Sequence, residues 1–199
     1  NMAQDSSLPD FWDRRYQEKV MPWDAGHVPA EFRVFARQLP AGERILVPGC
    51  GSGYEVGWLA ALGLDVLGLE FSPAACEQAR QVLGPEAVRV QPGDFFRHEV
   101  PAYDGIYERA LLCALPRKTW QDWARQMAAL VRPGGWLAGY FFYADTPKGP
   151  PFGLVADELD ALLTPAFVCE TDEPSRTALE IFAGRERWQV WRRCDNPSH

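Results

Sequence analysis

The chain has 199 residues and a formal net charge of −7, with 47 % apolar and 24 % charged residues. That length and balance fit a single globular domain with a full core, not a disordered or fibrous chain. The acidic surplus argues against a phosphate-backbone partner, no apolar run reaches a membrane span, and no basic-then-apolar leader is visible.

In chain order, residues 1–9 are polar and patternless and are expected to be disordered, leaving 10–199 as one domain. Asp10–Val20 can form an amphipathic helix with Phe11, Trp12, Arg15 and Tyr16 at helical spacing. Pro22-Trp23-Asp24-Ala25-Gly26 is a turn, and Pro29 opens a second helix to Leu39, so that 10–40 reads as a helical lid. Strands are expected at Arg44–Pro48, Asp65–Glu70, Ala87–Gln91, Tyr103–Glu108 and Trp136–Tyr143, with a closing pair at Phe167–Thr171 and Trp188–Arg193. Helices fall between them. Glu55–Leu62 ends at Gly63, Ser72 and Pro73 open one to Leu83, Pro116 opens one to Val131 that Arg132-Pro133-Gly134-Gly135 stops, and Val155–Leu163 follows the rigid loop Thr146–Gly153. Strands alternating with helices predict an α/β, Rossmann-like three-layer sandwich around a mostly parallel seven-stranded sheet.

Chemistry enters at Val47-Pro48-Gly49-Cys50-Gly51-Ser52-Gly53, a glycine-rich turn between a buried strand and a helix. About twenty residues on, Glu70 ends the second strand, where an acid can accept hydrogen bonds from a ribose. A dinucleotide fingerprint needs a small residue at position 54, where Tyr54 stands. The G-x-G-x-G spacing of Gly49, Gly51 and Gly53 instead looks like the first motif of class I methyltransferases that use S-adenosylmethionine. Cys50, Cys76, Cys113, Cys169 and Cys194 are odd in number without a C-x-x-C pair, and His27, His98 and His199 are scattered. We therefore expect a cytoplasmic monomer, acting on a small molecule, with no metal, nucleic acid or membrane partner.

From Phe11 to Arg192 the chain resembles the thiopurine S-methyltransferase family, which includes plant thiol and halide methyltransferases. Phe11-Trp12-x-x-x-Tyr16 and Pro22-Trp23-Asp24-x-Gly26-x-x-x-Ala30 look like the thiol and halide branch. Val47-Pro48-x-Cys50-Gly51, Gly68-x-Glu70-x-Ser72 and Gly93-Asp94-Phe95-Phe96 match the cofactor strands. Glu108-Arg109-Ala110-Leu111-x-x-Ala114-Leu115-Pro116 is nearest the bacterial thiopurine branch, and Gly149-Pro150-Pro151-Phe152 and Glu186-Arg187-Trp188-x-x-Trp191 match the C-terminal region. Gly49 replaces the family's usual leucine, and Ser52-Gly53 a lysine-serine pair.

The resemblance implies S-adenosylmethionine as cofactor, S-adenosylhomocysteine as product, and a small thiol or related chalcogen acceptor. A halide, an oxygen or nitrogen acceptor of natural products, and cofactor binding without turnover are the alternatives. It implies that Trp12, Tyr16 and Trp23 face the cofactor, though core packing explains them as well. Glu70 would accept from the ribose, Phe71 would also contact the cofactor, Asp94 and Phe95 would hold the adenine, and Arg109 would lie between cofactor and acceptor unless it is spent on Glu108 or Asp104. Arg187 and Phe152 would contact the acceptor, and Asp24 or His27 could relay a proton from a thiol.

Overall fold

The computed structural model describes residues 5–11, 28–51, 53–100, 102–176 and 184–195. Its elements in chain order are α1 (Ala30–Arg37), β1 (Arg44–Pro48), α2 (Tyr54–Ala61), β2 (Asp65–Glu70), α3 (Pro73–Leu83), β3 (Val90–Pro92), β4 (Tyr103–Arg109), α4 (Trp120–Leu130), β5 (Val131–Phe142), α5 (Glu158–Leu163), β6 (Phe167–Pro174) and β7 (Glu186–Arg193). The seven strands form one sheet in the order β3-β2-β1-β4-β5-β7-β6. Pairing is parallel from β3 to β5, and β7 is antiparallel to both β5 and β6.

Strand alternation sorts the core onto two faces. One face packs Ile45, Val47, Val66, Tyr107, Trp136, Tyr140 and Trp188 with Phe32 of α1, Val56 and Leu59 of α2 and Cys76 of α3. The other packs Leu46, Ile106, Leu137, Phe141 and Trp191 with Trp123 and Met127 of α4 and Leu159 of α5. Helices on both faces of a mostly parallel sheet make the expected three layers. Gly105 lets β4 approach β5, because any Cβ there would collide with the Trp136 ring.

Several boundaries differ from expectation. A 3-10 segment from Gly84 to Arg89 takes residues expected in a strand, so β3 is only Val90–Pro92. The Arg132–Gly135 stop ends α4 but lies inside β5, where the register slips between Tyr103 and Gly105 and the Asp104 carboxylate holds the Arg132 guanidinium at 2.7 Å. Residues 5–8, expected as part of a frayed terminus, form a turn. Ser7 donates its amide and hydroxyl to Asp5 Oδ1 at 2.9 and 2.6 Å, and Ser6 is buried.

Candidate active site

From β1 the chain steps outward to β2 and β3, then returns to the other side of β1 for β4. The loops leaving β1 and β4 therefore diverge, and a crevice opens at the carboxyl ends of the central strands. A cavity of about 200 Å³ lies there. It brings together Gly49, Gly51, Glu70, Phe71, Asp94, Phe95 and Arg109, which the sequence singled out. Gly53 caps α2 in the same turn, though not on the cavity wall.

The β1 turn works through its backbone. Gly49 and Gly51 stand at φ 62° and 56°, a region that side-chain-bearing residues enter at a cost. A Cβ on Gly49 would press Leu111 Cδ1 at 3.3 Å, on the far wall of the cavity. Glu70, buried at the end of β2, accepts the Gly51 amide at 3.0 Å through Oε1 and the Ser72 amide at 2.8 Å through Oε2. The acid thus holds the turn at the edge of the cavity. Cys50 lines the same turn, but burial, with Glu70 beside it, pushes its thiol well above the ordinary range. It stays protonated and unreactive.

On the β3 side, Asp94 accepts the Phe96 amide at 2.9 Å and caps a 3-10 turn over Phe95–Arg97. Phe95 is buried against the edge of Phe96, with centroids 5.5 Å apart. Gln126 of α4 fixes this loop from behind by donating to the Phe95 and His98 carbonyls at 2.8 and 2.7 Å.

The β4 end is different. The Arg109 side chain is 8 % exposed, and its Nη1 lies 3.6 Å from Oε1 of Glu55 in the first turn of α2. Glu55 is thus its ion-pair partner, while Asp104 pairs with Arg132 and Glu108 Oε1 accepts the Leu112 amide at 2.5 Å. Among the described residues, the buried Arg109 Nε and Nη2 and Tyr107 hydroxyl have no hydrogen-bond partner. Burial raises the Tyr107 hydroxyl well above its usual range, with Glu55 adding to the shift. Behind them, burial pushes Glu186 up to about 7 and Glu108 up to about 8.

Trp12, Tyr16, Trp23, Asp24 and His27 lie outside the described residues. Arg187 does not line the cavity. It projects from the face of β7 opposite Glu186, its Nε 2.6 Å from Asp172 of β6. Phe152 also lies off the cavity, donating its amide to the Cys113 carbonyl at 2.6 Å beside a small void next to Glu108. Sequence reading missed Glu55, Tyr107, Ser6 and Ser7, all on the cavity wall.

The family model for thiopurine S-methyltransferase matches residues 7–194. The chain belongs to the thiopurine S-methyltransferase family. It is 33 % identical over 163 residues to probable thiol methyltransferase 2 of Arabidopsis thaliana, covering 77 % of this chain and 71 % of that one. It is 32 % identical over 185 residues to thiopurine S-methyltransferase of Xanthomonas campestris, covering 77 % and 80 %. Thiocyanate methyltransferase 1 of Arabidopsis thaliana is 27 % identical over 194 residues, covering 92 % and 85 %. Among solved structures, magnesium protoporphyrin IX methyltransferase from Synechocystis, with bound S-adenosylhomocysteine, superimposes with a TM-score of 0.74 at 16 % identity, covering 95 % and 100 %.

This thiopurine S-methyltransferase family member is a methyltransferase that uses S-adenosylmethionine, and its cavity fits that cofactor. The turn at Gly49 and Gly51 gives close backbone approach, Glu70 offers acceptors, and Phe95 is an aromatic wall. Unpaired buried donors remain at the β4 end. Among the described residues, no helix is long and apolar enough to cross a membrane.

Proposed function

We propose that this enzyme transfers a methyl group to a small thiol or related chalcogen nucleophile, acting as a cytoplasmic monomer. The bound cofactor supplies a methyl group on a sulfonium. Transfer to a thiolate cancels opposite charges, so a dry site favours it over water. Glu70 and Phe71 are read as the ribose contacts and Asp94 with Phe95 as the adenine contacts. Arg109 holds the anionic sulfur in line, and the relatives named for thiol, thiocyanate and thiopurine methylation support the same class of soft nucleophile.

The observation that carries this reading is the buried Arg109 guanidinium, which lines the cavity with two nitrogens that have no partner among the described residues. The test is kcat/KM against pH for one thiol and for iodide. The thiol rate should climb toward the thiol's own pKa while iodide, with no proton to lose, stays flat. Arg109→Ala should cost about one to two decades and Arg109→Lys less, since lysine keeps the charge without the planar fork. Thiol turnover indifferent to both pH and Arg109 rejects the thiolate reading in favour of an oxygen or nitrogen acceptor.

A further inference from the structure

Beyond Arg109, on the side of β4 away from the glycine turn, lie buried acids that methyl transfer to a bare thiolate does not use. Arg109 pairs with Tyr140 of β5, Tyr140 with Trp188 of β7, and Phe142 with Glu186, so these side chains share one face of the sheet. The Arg109 guanidinium carbon is 5.5 Å from the Tyr140 ring centroid. From α1, Phe32 stacks on Tyr107 with centroids 3.7 Å apart and donates its amide to the Tyr140 hydroxyl at 3.2 Å. That seat brings Glu31 to the same place. Glu31 Oε1 accepts the Tyr140 hydroxyl at 3.5 Å, and the Ser175 hydroxyl and Arg176 amide at 3.2 Å each. Glu31 Oε2 and Glu186 Oε1 are buried with no partner among the described residues. The two residues are only 4 % and 5 % exposed, and the Glu31 charge helps to push the Glu186 carboxyl up.

Orphaned carboxylate oxygens are costly in a dry interior unless a cation comes to them. Among the described residues neither acid forms an ion pair, and Arg109, which attracts Glu186 from farther off, is paired with Glu55. The surroundings select the kind of cation. A magnesium or calcium ion takes at least about six oxygen ligands. Here the neighbours are rings, with Trp188 centred 5.0 Å from Tyr140 and 6.1 Å from Phe32, which suits an organic ammonium group. Glu31, Glu55 and Glu186 against the single charge of Arg109 also disfavour an acceptor that is anionic throughout. We propose that Glu31 and Glu186 bind an ammonium group carried by the acceptor, which makes the acceptor class a small aminothiol or its selenium counterpart. The sulfur lies at Arg109 and the ammonium over Tyr140. The thiolate's electron pair forms the new S–C bond as the pair of the broken bond returns to the cofactor sulfur, and the ammonium keeps its proton. This rests on the thiol reading given above and names the substrate class within it.

The test is kcat/KM on the full chain for 2-aminoethanethiol, 2-mercaptoethanol and 3-mercaptopropionate, each divided by its thiolate fraction. The assay runs at about pH 8, above the value of about 7 to which burial pushes Glu186. Wild type should favour the aminothiol over the hydroxythiol by at least about tenfold, use the acid least, and place the methyl on sulfur. Glu31→Gln should cut that preference at least about fivefold and Glu31→Asp less, and Glu186→Gln is the second variant expected to cut it. Calorimetry with S-adenosylhomocysteine bound adds a readout without turnover. Wild type should bind 2-(methylthio)ethylamine at least about fivefold more tightly than 2-(methylthio)ethanol, and Glu31→Gln should lose the difference. Thermal melts close to wild type confirm that the variants fold. Three thiolates used at similar rates, a preference that survives both glutamine variants, or a methyl group found on nitrogen overturns the proposal. If S-adenosylhomocysteine binds but none of the thiols is methylated, the thiol reading itself fails and this proposal with it.

Discussion

The two ends of the cavity solve opposite problems. At the β2 and β3 end the acids serve the backbone: Glu70 holds the amides of Gly51 and Ser72, and Asp94 holds that of Phe96. At the β4 end the side chains of Arg109 and Tyr107 hold buried donors with no partner among the described residues. Satisfied groups make a rigid, pre-shaped seat, whereas unpaired ones raise the energy of the empty site and lower it when a partner arrives. The comparison teaches a division of labour. The β2 and β3 end is part of the folding problem, and the β4 end carries the donors proposed to meet a ligand.

The largest effect that could break this division is at Glu70. Glu70→Ala orphans two amides in the β1 and β2 turns, each costing about 1–3 kcal/mol, and removes the acid proposed as the ribose contact. Both urea-derived stability and S-adenosylhomocysteine affinity should fall, with Glu70→Gln between wild type and alanine. An alanine variant that loses affinity while keeping full stability would show that Glu70 serves the ligand alone.

A smaller, pH-dependent effect sharpens the β4 side. Burial raises the Glu186 carboxyl from 4.5 to about 7, opposed by Arg109 and reinforced by Glu31. Because the folded value is the higher one, the native state holds a proton that the unfolded chain has released between these limits. Stability from this group is intact below about pH 4.5 and is lost as pH rises through about 7. Glu186→Gln should therefore gain on wild type by about 1–3 kcal/mol between pH 5 and 8, read from urea midpoints. A gap between the two proteins that stays constant with pH would mean that Glu186 is already ionised in the fold.

Much of this architecture was legible in the sequence because it is written in local rules. β1 and β2 follow from short apolar runs bounded by turn residues, and the α3 start from Ser72 and Pro73, with the Ser72 hydroxyl accepting the Ala75 amide at 3.2 Å. The glycine turn and Glu70 carry their own spacing. What was missed depends on tertiary placement. Tyr107 reads as one more core aromatic in an alternating strand, and Glu55 as a solvated first-turn acid, until the topology sets both beside Arg109. Glu186 was read as part of a motif but not placed in a strand, because β7 begins two residues earlier than its apolar pattern, extended by pairing with Phe142 of β5.

The smallest expected effect is at Arg187, where family pattern and placement part company. A one-residue step along a strand reverses the face, so Glu186 and Trp188 point to the Tyr140 side while Arg187 points away with Asp172. The pair is an exposed one: the two side chains are 36 % and 45 % accessible. Exposed ion pairs contribute about 0.2–1 kcal/mol and are screened by salt. Arg187→Ala should thus lower stability by less than about 1 kcal/mol and leave kcat/KM for a thiol within about twofold, against the one to two decades expected at Arg109. Parallel turnover assays on the two variants decide it. A loss at Arg187 comparable to that at Arg109 would mean that the acceptor extends over the β6–β7 face, and the division between the two ends of the cavity would have to include a third surface.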